Sequence, residues 1–162
     1  MPVKIIIGPN GCGKTQKVEA EYRFDRKLNF RDSYGLSDGG YYLQQRWNSC
    51  EYDMVPTMRE SLEIYTDEEL KSALLERFGI APMIDKEIIL LSSGELRKLQ
   101  LTKALLTHPK RLILDNPFIG LDTPARNQLN EVLKDIATNN GVELVIVLSR
   151  EDDIPEYADE VE

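Results

Sequence analysis

The hydrophobic pattern of the chain predicts three buried strands. Apolar residues fill Val3–Ile7, the centre of Arg111–Asp115 and residues 142–148. Short continuous runs of this kind are typical of strands that are covered on both faces, as in parallel sheets. We therefore expect an α/β fold with a mostly parallel sheet flanked by helices.

Helical periodicity and capping residues predict four helices between and around these strands. We expect the helices to begin at Thr57, Asp67, Ser92 and Thr123. Thr57 and Ser92 are each followed by Glu at the spacing of a capping box. Pro124 suits the first position of the last helix, for which Thr123 is the predicted cap. The last three helices are predicted to end near Gly79, Pro109 and Asn140.

The segment after Thr15 fits two interpretations. Residues 18–24 alternate between apolar and charged types, which is the period of a strand. A turn at residues 25–27 would then lead into residues 28–31 and form a hairpin. Val18 and Tyr22 also share one face of a helix, so a helix remains open. If the hairpin is right, almost no room remains for a helix after Thr15. In that case either such a helix is severely shortened, or the natural chain has residues absent from this sequence.

Four other stretches have weaker patterns. Residues 33–40 are rich in Ser, Gly and Asp and are expected to form a loop. Residues 41–47 are expected to form a short strand that leads into a surface loop, and residues 88–91 fit a strand or a loop. The tail from Glu151 is acidic, so we expect it to be solvated.

Composition narrows the class of protein. The 162 residues are 41% hydrophobic and 30% charged, as in a soluble globular domain. The net charge of -8, without an evident basic patch, argues against a nucleic-acid partner. Only two cysteines are present, which fits a reducing cytosol. No apolar run is long enough to span a bilayer, and the first residues do not read as a signal peptide.

The stretch directly after the first strand carries the strongest chemical signal. It reads Gly8-Pro9-Asn10-Gly11-Cys12-Gly13-Lys14-Thr15, which is the pattern of a phosphate-binding P-loop. Glycines allow backbone N–H groups to surround a phosphate, Lys14 adds a charge for the outer phosphates, and Thr15 can complete a Mg²⁺ shell. Cys12 is expected to be a small filler rather than a catalytic thiol. The sequence therefore predicts a nucleoside triphosphate, with ATP and Mg²⁺ as the expected pair.

Asp115 ends the second buried strand, at the edge where ligands bind in open α/β sheets. An Asp at this place can hold Mg²⁺ through water, opposite a P-loop. The Ser92-Ser93-Gly94-Glu95 helix start would, taken alone, be an ordinary cap.

Taken together, these motifs resemble those of the ATP-binding cassette (ABC) ATPase family. Leu91-Ser92-Ser93-Gly94-Glu95 is similar to the family's signature motif, and Leu112-Ile113-Leu114-Asp115 to its Walker B strand. Gly120-Leu121-Asp122 matches its D-loop. Gln44 and Gln45 both fall where the Q-loop glutamine is expected. The resemblance covers nearly the whole chain and implies a P-loop NTPase fold.

The resemblance also implies roles for these residues. ATP would be sandwiched between two such domains in a head-to-tail dimer. Ser93, Gly94 and Glu95 of one domain would face the γ-phosphate on the P-loop of the other. Asp122 would lie in the same interface, and Thr15, Asp115 and Gln45 would serve the metal.

Two positions depart from the family pattern. Asn116 stands where the family has its general-base Glu, and Arg150 where it has its switch histidine. An amide can orient a water but cannot accept its proton, so we expect slow hydrolysis, with Lys14, Asp115, Asn116 and Arg150 as the catalytic set. The family's usual strands before the P-loop, with an aromatic for adenine, have no counterpart before Val3.

The sequence therefore predicts one ABC-type ATP-binding domain over residues 1–162, with a helical subdomain at about residues 57–106. The expected function is that of an ATP-binding subunit with slow hydrolysis; the alternative is an ATP-dependent switch with little or none. A P-loop nucleotide kinase would not need the signature helix. The expected partners are a second ABC domain, as a homodimer or tandem pair, and a membrane permease. We expect a cytoplasmic location, including the inner face of the membrane.

Overall fold

The computed structural model describes residues 3–9, 12–21, 26–30, 56–139 and 141–162. The chain forms two compact units. The first combines Met1–Phe30 with His108–Glu162, and the second is Arg31–Thr107. Three predictions, namely the loop at 33–40, the strand at 41–47 and the glutamines Gln44 and Gln45, lie outside the described residues.

The first unit is built on a parallel sheet with the order β2-β3-β4-β1-β5. Its strands are β1 (Val3–Ile7), β2 (Arg26–Asn29), β3 (Arg111–Asp115), β4 (Glu143–Leu148) and β5 (Glu160–Val161). Every described pairing is parallel. The apolar side chains of β3 and β4 are almost fully buried, as expected for central strands with both faces covered. The predicted α/β class is confirmed.

The described residues of this unit include two α-helices, α1 (Lys14–Glu21) and a helix over Thr123–Asn139, which we number α5, and a 3₁₀ turn at Glu151–Asp153. Val18 of α1 packs in a buried cluster with side chains of β1, β3 and β4, namely Ile6, Ile113, Val145 and Val147. The buried face of Thr123–Asn139 is formed by Leu129, Val132, Leu133, Ile136 and Ala137. Asp122 caps this helix by accepting a hydrogen bond from the backbone N–H of Ala125 at 2.9 Å, so the prediction of Thr123 as the cap is wrong.

Of the two interpretations of the segment after Thr15, the helix is confirmed and the hairpin is wrong. The chain is helical as far as Glu21, and β2 pairs in parallel with β3 rather than with a neighbour along the chain. Val18 is buried while Ala20 is exposed, which is a helical and not a strand register. Alternation over so few residues matched both periods, and burial of Val18 against the sheet decides for the helix.

Most described acidic side chains of the tail are exposed, as predicted, but the tail also pairs with the sheet. Its last residues form β5 on the edge of β1, and Asp159 accepts a hydrogen bond from the Val3 backbone N–H at 2.7 Å. Glu162 forms ion pairs with Lys17 and, at 3.0 Å, with Lys4. Hydrogen bonds from Lys17 and then from Lys4 lower the pKa of Glu162. Pairing with β1 and neutralisation by lysines together hold this acidic segment on the sheet.

The second unit is helical in its described part. It contains α2 (Met58–Leu62), α3 (Glu68–Arg77) and α4 (Ser93–Leu105), with short 3₁₀ turns at Ala81–Met83 and Ile88–Leu90. The capping boxes predicted at Thr57 and Ser92 are both present. The stretch at 88–91, which fitted a strand or a loop, contains the second 3₁₀ turn. The largest fully buried side chains of the unit are Met58, Leu62, Leu74, Ile80, Leu99 and Leu101.

The helical register of α1 gives a direct test. Val18→Asp places a charge in the sheet-facing cluster and should cost about 4 kcal/mol or more in the free energy of unfolding. Ala20→Asp adds the same charge on the exposed face and should cost less than about 1 kcal/mol. Urea unfolding of both variants checks this. Equal losses would contradict the helix, because both residues share one face of a strand.

Candidate functional site

The loop between β1 and α1 has the tight geometry expected of a P-loop. Gly13 has φ +87°, a left-handed conformation that favours glycine. A Cβ added at Gly8 would lie 3.0 Å from Cys12 Sγ and 3.4 Å from Lys14 Cδ, so a larger residue would not fit without movement. Cys12 itself is a free, exposed thiol. Asn10 and Gly11 lie outside the described residues.

Lys14 is buried within its own loop. Its Nζ donates hydrogen bonds to the carbonyl oxygens of Gly8 and, at 2.9 Å, of Pro9. These carbonyls satisfy an ammonium group that is largely withdrawn from water. The loop therefore holds a positive charge beside the first turn of α1, where helix N–H groups also favour an anion.

Thr15 joins the P-loop to β3. Its hydroxyl donates a hydrogen bond to Asp115 Oδ2 at 2.7 Å. Asp115 lies at the carboxyl end of β3 and is buried. A hydroxyl and a carboxylate oxygen held together are hard ligands of the kind Mg²⁺ prefers. Thr15 and Asp115 are therefore suited to the Mg²⁺ site predicted for them. The third residue predicted for that site, Gln45, lies outside the described part of the chain.

Asn116 is held on both sides of its amide. Its Nδ2 donates to Asp115 Oδ1, and its Oδ1 accepts a hydrogen bond from Ser149 Oγ at 2.6 Å. Only the NH₂ group can donate to a carboxylate, so Asp115 fixes which way the amide points. Asn116 is buried and has φ 52°, a left-handed conformation that Asn adopts more readily than most residues.

Ser149 was not among the residues predicted from sequence. It directly follows β4, which pairs with both β1 and β3, so it lies at the edge where the P-loop and Asp115 also lie. A polar residue at the carboxyl end of a buried strand was the available signal. Ser149, Asn116, Asp115 and Thr15 form one continuous chain of hydrogen bonds.

Arg150 and Asp122 belong to the same unit but have different surroundings. Arg150 is exposed and extended, and its carbonyl accepts a hydrogen bond from the backbone N–H of Asp153 at 3.3 Å. Asp122, which is predicted to lie in the D-loop, caps the helix that follows by accepting a hydrogen bond with one carboxylate oxygen. Neither the Arg150 nor the Asp122 side chain takes part in the series of hydrogen bonds from Ser149 to Thr15.

The predicted signature residues lie in the second unit, at the start of α4. Ser92 caps the helix, Ser93 is exposed and Gly94 is half-buried. Glu95 accepts hydrogen bonds from the Ser92 backbone N–H at 2.7 Å and from Lys86 Nζ at 3.0 Å. Burial alone would raise the pKa of Glu95, but the donors Ser92 and Lys86 outweigh it and lower that pKa. The helix start is thus held by its capping box, with its first residue, Ser93, presented to solvent.

Comparison with known sequences finds one matching protein family and several relatives. The profile described as ABC transporter matches residues 2–119. The ABC transporter ATP-binding protein ModF of Escherichia coli is 35% identical over 93% of this chain, which covers 34% of ModF. The phosphonates import ATP-binding protein PhnC of Treponema denticola is 27% identical over 96% of this chain, which covers 72% of PhnC. The chain thus spans about a third of the length of ModF.

Solved structures agree on the fold. Clostridium perfringens cbiO1, part of the ABC transporter complex cbiONQ, matches 99% of this chain with a TM-score of 0.68 and 22% identity, and the match covers 72% of cbiO1. A structure described as RNase-L Inhibitor matches 99% of this chain with a TM-score of 0.66 and 22% identity, over 31% of its own chain. No helix in the described ranges is long and apolar enough to cross a bilayer.

Proposed function

Because this chain belongs to the ABC transporter family, we propose that it binds ATP with Mg²⁺ on its P-loop and hydrolyses the ATP slowly in a head-to-tail dimer. Membership of this family supports a role as an ATP-binding subunit of an ABC system. The slow rate, the dimer and the residue roles below are parts of the proposal. The observation that carries it is the cluster of Lys14, Thr15, Asp115 and Asn116 at one edge of the sheet.

Lys14 and the start of α1 would hold the phosphates. The ammonium is already drawn into the loop by two carbonyls, so a nucleotide has to compete for it with Gly8 and Pro9. Phosphate oxygens carry more charge than carbonyls and should win that exchange. The Thr15 hydroxyl would ligate Mg²⁺ directly and Asp115 through water, and bound Mg²⁺ would neutralise charge on the outer phosphates.

The metal site needs few protein ligands. Within the described residues, no group of three or more His, Cys, Asp or Glu could hold a metal ion. Mg²⁺ commonly keeps several waters and takes its other ligands from one or two protein groups and substrate phosphates. Thr15 and Asp115 supply what such a site requires, and the hydrogen bond between them orients both groups.

Slow hydrolysis follows from the chemistry of Asn116. The attacking water needs a nearby group that accepts its proton, and an amide has no useful basicity. Asn116 is further occupied, because its oxygen accepts from Ser149 and its nitrogen donates to Asp115. This supports a site that binds nucleotide well and turns it over poorly.

The dimer would complete the site with the signature of a second copy or a tandem partner. Ser93 is exposed at the start of α4, and the N–H groups of that turn can face an anion. Gly94 permits close approach, and Glu95 keeps the turn closed through the capping box. An incoming γ-phosphate would meet these groups from the opposing domain.

The alternative is an ATP-dependent switch with little or no hydrolysis. The bonds on both sides of Asn116 favour it, since they use the amide to tie β3 to Ser149 rather than to hold a water. In that case ATP would close the dimer for long periods. Rate measurements on variants of Asn116 separate the two readings.

The proposed partner, location and domain organisation rest on analogy with the relatives. PhnC is described as an import ATP-binding protein, which supports a permease partner for this chain and a place at the cytoplasmic face of a membrane. The same analogy supports one functional ABC domain that spans both compact units, with the helical unit bearing the signature. Neither the transported substrate nor a nucleic-acid partner forms part of the proposal.

Lys14→Ala tests the nucleotide site. We expect it to abolish measurable binding of a fluorescent ATP analogue, because no other described side chain brings a cation inside the loop. Lys17→Ala is the matched control: it removes the same charge about one turn along α1, where the side chain pairs with Glu162. Circular dichroism verifies folding. Unchanged affinity of Lys14→Ala would refute the P-loop assignment.

Asn116→Glu tests the slow rate. A carboxylate at this position typically raises a rate by ~10²–10⁴-fold, and we expect at least about tenfold in single-turnover hydrolysis because the left-handed backbone strains a longer residue.

Asn116→Gln is the control, since it has the size of Glu without its basicity and should give no gain. Brisk wild-type hydrolysis that Asn116→Glu leaves unchanged would mean that the base lies elsewhere.

A further inference from the structure

The turn that carries Arg150 is anchored to the long helix α5 (Thr123–Asn139) by an ion pair. The Arg126 guanidinium on α5 contacts Asp153 Oδ1. The Asp153 side chain is only 11% exposed, so this ion pair is largely shielded from solvent. The backbone N–H of Asp153 donates to the Arg150 carbonyl at 3.3 Å. One residue therefore binds α5 with its side chain and closes the Arg150 turn with its backbone.

A second contact holds the same segment on the same helix. The Tyr157 hydroxyl donates to Asn130, with its Oδ1 at 3.0 Å and its backbone carbonyl at 3.3 Å. Arg126 and Asn130 are one helical turn apart and so share a face of α5. Burial raises the pKa of Tyr157, and the charge of Glu131 raises it further, so the hydroxyl keeps its proton and remains a donor.

The anchored face lies directly after Asp122. The backbone N–H of Arg126 donates to the Asp122 carbonyl at 2.9 Å, and Asp122 also caps α5. A continuous set of contacts therefore connects the Asp122 turn, through Arg126 and Asp153, to the backbone of Arg150. The path is short and consists of an ion pair and two backbone hydrogen bonds.

We propose that Arg126 and Asp153 are a positioning pair that holds Arg150 in place for the bound triphosphate and links it to the Asp122 turn. This inference rests on the proposed function and on the predicted catalytic role of Arg150, because it requires Arg150 to act on the bound nucleotide. It goes beyond that function by assigning residues that do not themselves touch the nucleotide. Tyr157 supports the pair from the next turn of α5.

A double-mutant cycle separates positioning from ordinary stability. Single-turnover ATP hydrolysis is measured for wild type, Arg150→Ala, Arg126→Gln and the double variant. We expect Arg150→Ala to lower the rate at least about tenfold, because loss of one well-aligned charge-stabilising contact typically costs ~10²–10³-fold. Arg126→Gln should lower it to a similar extent, and the double variant should be no slower than Arg150→Ala. Arg126→Lys should recover part of the rate.

Arg111→Gln is the matched control. Arg111 pairs with Glu143 at 2.7 Å across β3 and β4, in the same unit, at the strand ends away from the site. Thermal unfolding should show that both Arg→Gln variants lose stability, whereas only Arg126→Gln changes hydrolysis. If Arg126→Gln does not fold, Tyr157→Phe removes only a hydroxyl and should show the same non-additive loss with Arg150→Ala, smaller in size.

The outcomes distinguish the inference from the function beneath it. Rate losses of Arg126→Gln and Arg150→Ala that multiply, or an Arg126→Gln rate equal to wild type, would overturn the positioning role and leave the proposed function standing. If Arg150→Ala hydrolyses ATP at the wild-type rate, the predicted catalytic role of Arg150 is wrong, and the positioning role is wrong with it, while nucleotide binding on the P-loop still stands.

Discussion

The register of the parallel sheet is the constraint on which the site depends. Pairing places Ile7 beside Leu148 and Asp115 beside Val147, so β1, β4 and β3 end at one edge. Thr15 can then reach Asp115 at 2.7 Å although β4 lies between their strands. A slip of one residue would turn Asp115 to the other face of the sheet and break this contact. Apolar burial of the central strands thus fixes the chemistry at their ends.

Features encoded by neighbouring residues could be predicted from the sequence. The buried strands and the capping boxes at Thr57 and Ser92 depend on residues a few positions apart, and all were found where expected. The secondary structure around Val18 stayed ambiguous because a short alternating stretch fits both a helix and a strand. Only packing on the sheet separates the two. Local patterns therefore determined most of the elements but not the ambiguous one.

Contacts between distant residues could not be predicted in this way. The bond from Ser149 to Asn116 joins the ends of two strands, and β5 pairs with β1 from the opposite end of the chain. Asp115 is adjacent to Asn116, but nothing near Asn116 in the sequence shows that Ser149 holds the other side of its amide. The proposed slow hydrolysis draws on that environment, because an amide lacks the basicity to accept a proton from water. The same distance along the chain hides the contact between Arg126 and Asp153.

The central claim is that ATP joins two such domains, and the mass of the protein in solution tests it most directly. Light scattering should give a monomer without nucleotide and a dimer with ATP and Mg²⁺. Ser93→Arg, which blocks the exposed start of α4, should bind ATP and stay monomeric. A dimer regardless of nucleotide, or a monomer at ATP concentrations that saturate the P-loop, would contradict the account.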